Sequence, residues 1–373
     1  MIKFLDLYRQ DKDLHKSILT KIDKLFKKGD FILGNEVSSF EKNFSKFCGS
    51  KFAIGCGNGT DALTLALSSL DLPRNSEVII PAMTYCSTAF SVLKANLKPV
   101  LVDTDFLKST ISIDKLKKKI TKKTKVILPV HLYGSVANLT EIKKIIGNKK
   151  IYLIDDCAQA HGALEETSNK KSKKKIGSNT DISCFSFYPG KNLGAYGDAG
   201  IITTNNLSIY QKIKILRNLG SVKKNDHKFE GLNSRLDTIQ ASVLLEKINY
   251  LNEHNDYRRK ISNFYDENLS FIDEVKLTMS NPGSSRHLYV IRVKKGKRDK
   301  LLKVLKKNRI FSAIHYIPIH FHPYYQKIGF KRGDFPQAEK YYKECISLPI
   351  HPSLKKKQIY FTIKIIKKFF NQK

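Results

Sequence analysis

The chain has 373 residues, 41% of them hydrophobic, and carries 67 Lys and Arg against 34 Asp and Glu, for a formal net charge of +33. That length and apolar content exclude a disordered chain and suggest two units, while the short apolar runs fall below the ~18 residues of a membrane span. The positive charge is mostly lysine spread along polar faces and loops, in "KLFKK", "KLKKKITKKTK" and "KKSKKK". Such scatter reads as solvated surface and not as a nucleic-acid module, although it suits an anionic, phosphorylated substrate.

The N-terminus becomes charged within a few residues and has no signal-peptide stretch, so a cytoplasmic location is expected. Cys48, Cys56, Cys86, Cys157, Cys184 and Cys345 show no C-x-x-C pair and no zinc-type histidine spacing. They read as reduced thiols, mostly small buried hydrophobes, and no metal is expected.

In chain order, residues 60–72 have helical spacing behind a polar cap, and "SEVIIPA" reads as a strand. Helices at 87–97, 112–120 and 138–150 then alternate with strands in "PVLVDTD", "TKVILPVHLYG" and "IYLIDDCAQ". Two further strands, "ISCFSFY" and "GIITT", close this half. Strands of Val, Ile and Leu without alternation predict a mainly parallel sheet covered on both faces by helices. In such sheets ligands lie beyond the carboxyl ends of the strands. Asp103, Asp105, His131, Asp155 and Asp156 all follow strand-like runs.

After residue 208 the sequence turns helix-rich, and residues 235–269 predict one long helix or a kinked pair. The last hundred residues predict strands at 287–293 and 310–316 and helices at 297–308 and 335–348. Two units follow: 1–250 with the parallel sheet, and a smaller α+β unit over 251–373. The stretch Glu166 to Lys175 is lysine-rich and reads as a flexible surface loop.

Three stretches carry chemistry. "GNGTDALTLAL" opens a helix with glycines and a threonine, where free backbone N–H groups and the helix dipole favour a phosphate; an ordinary cap has the same form. "YLIDDCAQAHGA" sets a carboxylate pair at a strand end, either a structural ion pair or an acid that keeps a heterocyclic nitrogen protonated. "CFSFYPGKNLGAYGDAG" presents Lys191 on a tight turn, as a surface lysine or as an amine able to bond a carbonyl once its pKa is lowered.

With "PAMTYCSTAFSVL", "LRNLGS", "GLNSRLDTIQASVLLEKI", "HLYVIRV" and "IHYIPIHFHPYY", these stretches resemble the DegT/DnrJ/EryC1/StrS family of sugar aminotransferases along nearly the whole chain. The resemblance implies a three-layer α/β fold of the aspartate aminotransferase kind and pyridoxal 5′-phosphate (PLP) as cofactor. It implies that Lys191 holds the cofactor covalently and moves the reacting proton, and that Asp156 pairs with the pyridinium nitrogen. Gln159 would meet the ring's 3-oxygen and Tyr85 would stack on the ring. Gly59, Thr60, Asp61 and Ser186 would form the phosphate site, with the Asp61 carboxylate turned away to cap its helix. Asn233 would reach the phosphate of a neighbouring subunit in a homodimer. Asp155 has no assigned catalytic role.

His161, Tyr188, His315, Tyr316 and His320 are candidate contacts to sugar or diphosphate, with domain packing as the alternative for His315, Tyr316 and His320. The expected reaction moves an amino group from L-glutamate to a nucleotide-linked keto sugar. The form of the Lys191 stretch resembles members acting at C3 of a dTDP- or UDP-sugar, in amino-sugar and cell-surface polysaccharide synthesis. Action at C4 is the runner-up. A dehydratase branch of the family has histidine in place of the lysine. A non-catalytic sensor of the same fold and a nucleic-acid binder complete the alternatives.

Overall fold

The computed structural model describes residues 1–166, 173–294 and 296–371. Helices α1 (Leu7–Gln10), α2 (His15–Lys28) and α3 (Asn35–Cys48) lead into β1 (Phe52–Cys56). Then α4 (Gly59–Ser68), β2 (Glu77–Pro81), α5 (Cys86–Lys94), β3 (Lys98–Val102), α6 (Ile113–Lys119), β4 (Thr124–Ile127), α7 (Leu139–Ile146) and β5 (Tyr152–Asp156) alternate as the sequence predicts.

A hairpin of β6 (Leu164–Glu166) and β7 (Lys173–Lys175) follows, then β8 (Ile182–Ser186) and β9 (Gly200–Thr204). The lysine-rich stretch expected as a flexible loop therefore begins and ends in paired strand; its centre, 167–172, lies outside the described residues.

The central sheet has the order β1-β9-β8-β5-β4-β2-β3. Its pairs are parallel from β3 to β8, whereas β9 is antiparallel to both β8 and β1. Six strands thus run one way and β9 alone runs back. The sheet is mainly parallel, as expected, with this single reversal.

Neighbouring residues along a strand enter opposite core clusters: Ile54, Val78, Ile80 and Ile202 on one face, Ala53, Ile79 and Ile201 on the other. Both faces are covered, which is why these strands are apolar throughout and lack polar alternation. Helix α4 is buried from Ala62 to Leu67. The result is a three-layer α/β fold.

Helix α8 (Leu207–Leu216), the small hairpin β10 (Ser221–Lys223) and β11 (Asp226–His227), and α9 (Thr238–Lys247) complete the first unit. A 3₁₀ turn at Ile248–Tyr250 joins α9 to α10 (Leu251–Leu269), so the kinked pair is what forms. Leu251 packs with the central sheet, whereas Ile261 and Tyr265, farther along α10, pack in a separate cluster.

That cluster surrounds a three-stranded sheet of β12 (Val275–Leu277), β13 (Tyr289–Val293) and β14 (Cys345–Leu348). Helices α11 (Arg298–Lys307), α12 (Pro323–Lys327), α13 (Pro336–Glu344) and α14 (Lys356–Phe369) complete the region. Packing also crosses the boundary expected near residue 250: Leu288, Val290, Ile319, Tyr325 and Tyr341 join one face of the central sheet, while Ile2 bridges Ile310 and packs with the C-terminal cluster.

Two elements differ from expectation. The helix expected over 335–348 ends at Glu344, and Cys345–Leu348 is strand because its buried backbone pairs with β13. The strand expected over 310–316 reduces to isolated bridges from Ile310 to Ile2 and from Ala313 to Ser347.

Candidate active site

The ends of β1, β2, β5 and β8 and the start of β9 meet at one edge of the sheet, around a cavity of about 670 Å³. Gly59, Thr60, Asp61, Tyr85, Asp156, Gln159, Ser186, Tyr188, Lys191 and Tyr316 all line it. Residues 59 and 316 are far apart in sequence, and the fold brings them together.

Lys191 lies on the connection between β8 and β9. Its N–H donates to the Tyr188 carbonyl (2.8 Å), and the Ala195 N–H donates to the Phe187 carbonyl (2.8 Å), closing a tight turn. Burial lowers its pKa to about 8, with the Asp156 charge opposing the drop. At pH 7 about a tenth of the amines are then neutral and nucleophilic.

Asp156 ends β5 and is 6% exposed. Its Oδ2 accepts from the Thr88 hydroxyl (2.8 Å) and its Oδ1 from the Ala158 N–H (3.0 Å). Burial raises its pKa, against the opposing pull of those two bonds and of Lys191. A cationic ring nitrogen at this carboxylate would offset the burial.

Asp155 points to the other face. Its Oδ2 meets His131 Nε2 at 3.0 Å and its Oδ1 accepts from Thr180 (2.7 Å). Burial opposes its ionisation, but the bonds from His131, Ser183 and Thr180 outweigh it and lower the pKa. The Ala137 N–H donates to His131 Nδ1 (3.1 Å), so Nε2 carries the proton. Ligand atoms of His131, Asp155 and Cys157 lie within 4.8 Å of one another, yet both His131 nitrogens are taken up by these bonds. Asp103 also leaves the site: it accepts from the Gln337 and Ala338 N–H groups (3.1 and 2.9 Å) and caps α13.

The start of α4 abuts the end of β8 so closely that a Cβ on Gly59 would stand 2.5 Å from Ser186 Cβ. Only glycine fits there. The Gly59 and Thr60 N–H groups head the helix, where intrahelical acceptors end. The cap is Asn58, whose Oδ1 accepts the Asp61 N–H (2.8 Å). This corrects the expectation that Asp61 caps the helix and offers its own N–H to a phosphate. The Asp61 carboxylate does turn away, accepting from Asn58 (3.0 Å) and Ser234 (2.8 Å).

Gln159 is 4% exposed; its Oε1 accepts the Tyr133 N–H (2.7 Å) and its Nε2 donates to the Tyr316 hydroxyl (2.7 Å). Tyr85 and Tyr188, 55% and 59% exposed, flank the opening, and the Tyr85 ring lies 5.6 Å from that of Tyr316.

None of the three histidines expected at the substrate is among the residues lining the cavity. His161 is fully buried against Phe185 and Phe187, and burial takes its pKa to about 3. His320 is fully buried beside Glu339 (2.9 Å) and Phe335. His315 stacks on Phe4 and meets the Ser347 hydroxyl at 2.8 Å, outside the cavity lining. His161 and His320 pack among aromatic rings, whereas His315 lies near enough to Lys191 for that charge to add to the burial that lowers its pKa to about 4. Asn233 is exposed, bridges Asn218 and is likewise outside the lining.

Sequence reading missed Thr88, Ser87, Lys94 and Asp198, which all line the cavity. Ser87 accepts from Thr60 (2.8 Å), and Thr88 orients Asp156. Nothing in "TYCSTAF" marks a threonine that meets a carboxylate 68 positions later.

Lys191, Asp156 and the head of α4 thus face one cavity from three different parts of the chain. The chain belongs to the DegT/DnrJ/EryC1/StrS aminotransferase family, whose sequence pattern matches residues 12–367. It is 38% identical to dTDP-3-amino-3,6-dideoxy-alpha-D-galactopyranose transaminase of Aneurinibacillus thermoaerophilus, over 99% of each chain. It is 36% identical to the pleiotropic regulatory protein of Geobacillus stearothermophilus, over 99% of this chain and 98% of the relative.

Streptomyces venezuelae DesV, solved in complex with a ketimine intermediate, superimposes with a TM-score of 0.95 at 32% identity, covering 100% of this chain and 99% of that one. Bacillus subtilis NtdA, solved with bound cofactor PMP, gives 0.91 at 27%, covering 100% and 85%. The protein is a PLP-dependent aminotransferase. Among the described residues no helix is long and apolar enough to cross a membrane.

Proposed function

We propose that this enzyme aminates the C3 keto group of a dTDP- or UDP-linked sugar, with L-glutamate as donor, in amino-sugar synthesis for cell-surface polysaccharide. The observation that carries the reading is the placement of Lys191 and Asp156 in one cavity of about 670 Å³ with the start of α4. When bound, PLP supplies a sink for the electron pair left as the substrate's C–H bond breaks.

The chain's own residues do the rest. Lys191 is the amine that anchors the cofactor, and its Nζ, neutral in part at pH 7, carries the proton to and from the reacting carbon. Asp156, fixed by Thr88 and Ala158, keeps the ring nitrogen protonated. Gln159 and Tyr316 form a hydrogen-bonded wall beside the ring. Ser186, Thr60 and the head of α4 receive the phosphate, since the dipole and free N–H groups favour an anion there.

The exposed Tyr85 and Tyr188 edges suit a ring face and a sugar, which present apolar and hydroxyl surfaces together. Asn233 would serve the phosphate of a partner subunit in a homodimer. Six unpaired cysteines fit a reducing, cytoplasmic compartment.

The relatives' names favour C3 over C4. A panel of 3-keto and 4-keto dTDP- and UDP-sugars, each incubated with glutamate, tests this by mass and NMR analysis of the product. Amination of a 3-keto sugar is expected. Amination restricted to 4-keto sugars would overturn it.

A further inference from the structure

Asn192, the residue after Lys191, is 3% exposed, and its amide makes three hydrogen bonds. Nδ2 donates to the Ser285 carbonyl (2.8 Å) and to Asn255 Oδ1 (2.8 Å). Asn255 Nδ2 in turn donates to the His161 carbonyl (2.8 Å). Carbonyls cannot donate, so the two ends of this chain fix the orientation of both amides. Asn192 Oδ1 then faces His287 Nδ1 at 2.9 Å as an acceptor, and the Nδ1 of His287 must carry the proton.

His287 is 7% exposed, and its carbonyl accepts from Arg258 (3.3 Å). Burial, with Lys191 and Arg258 adding to it, lowers the pKa of this ring well below the usual histidine value. The ring is neutral at pH 7 with its hydrogen on Nδ1.

All three partners of Asn192 come from beyond residue 251: Asn255 from α10, and Ser285 and His287 from the segment leading into β13. The same segment reaches the other wall of the cavity, because Ser285 Oγ donates to the Gln159 carbonyl (3.0 Å). One short segment thus holds the Lys191 turn and the Gln159 turn together.

We propose that Asn192 and His287 are positioning residues for Lys191, docking its turn onto the C-terminal unit through the Nδ1–H of a neutral imidazole. This rests on the reading of Lys191 as the lysine that holds the cofactor. Neither side chain touches the reacting atoms. Their work is to set where the lysine Nζ enters the cavity.

The test uses two histidine replacements of similar size. In His287→Asn the amide N–H stands near the place of Nδ1, whereas in His287→Gln it stands near that of Nε2. Hydrogen exchange of the residue 191–193 amides is followed in the cofactor-free protein, with β2 and β4 amides as the control for folding. Exchange at 191–193 is expected to rise about tenfold in His287→Gln, the worth of one lost hydrogen bond, and to stay near wild type in His287→Asn.

In the loaded enzyme the half-reaction with glutamate is expected to slow about tenfold in His287→Gln with unchanged glutamate Kd, and to recover in His287→Asn. Wild-type exchange in His287→Gln, or equal damage in both variants, overturns the proposal. Should His287→Gln fail to fold, Asn192→Ser gives the same exchange comparison. The exchange arm needs neither cofactor nor substrate, so an incorrect donor or sugar would leave it readable.

Discussion

At Lys191 burial alone sets one lysine apart from the many on the surface. Its folded pKa of about 8 lies below the ordinary 10.5, so the folded state binds fewer protons than the unfolded chain between those values. The penalty is full below pH 8 and fades as pH rises toward 10.5. Lys191→Met in the cofactor-free protein should therefore be more stable than wild type at pH 7, with the gap closing by pH 10, as read by urea titration. The same variant should lose covalent cofactor retention and turnover; wild-type turnover would remove Lys191 from the mechanism.

Thr88→Val should leave the fold intact, since the two side chains have nearly the same shape, but free one oxygen of Asp156. About a tenfold loss of cofactor affinity is expected in absorbance titrations, near the value of one hydrogen bond to a charged group. Lys191 and Asp156 were legible because glycines and a strand end surround them. Thr88 was not, and His161 and His320 misled. Histidine in an apolar string has the same spelling whether its ring faces a ligand or Phe185.

At the scale of the element, the head of α4 is tightly constrained against the end of β8. Gly59→Ala would set a methyl 2.5 Å from Ser186 Cβ, and backbone must move to admit it. Cofactor affinity should fall at least tenfold, and the displaced backbone should cost about 1–3 kcal/mol of stability in the cofactor-free protein. Asn58→Ala should instead cost about 1 kcal/mol of stability through loss of the cap. The affinity loss relative to the stability loss should therefore be larger in Gly59→Ala than in Asn58→Ala.

The helix was readable from its apolar spacing, but its cap was not, because Asn58 and Asp61 are both suitable capping residues and only packing against Ser234 decides between them. The tail of α13 failed similarly: "CISL" is apolar enough for either state, and the open edge of β13 made it strand.

At the scale of the whole molecule, Asn233 is exposed and stands outside the cavity lining of its own chain, and the proposed homodimer would bring it to the site of a partner copy. If it acts across subunits, mixing inactive Lys191→Ala and Asn233→Asp proteins should restore activity, since one site of each heterodimer is then intact. No recovery would place Asn233 in its own subunit's site or outside any site. The repeated βαβ order made the layers legible, yet the reversal of β9 was not, because an apolar pentapeptide carries no mark of its direction.

That reversal also bears on how the chain folds. Strands β8 and β9 pair directly across the loop 187–199, a short closure with little entropic cost, while β1 meets β9 across about 150 residues. The turn that carries Lys191 can therefore take shape early, before the distant edge of the sheet arrives. Pulse-labelling during refolding should protect amides of β8 and β9 ahead of those of β1.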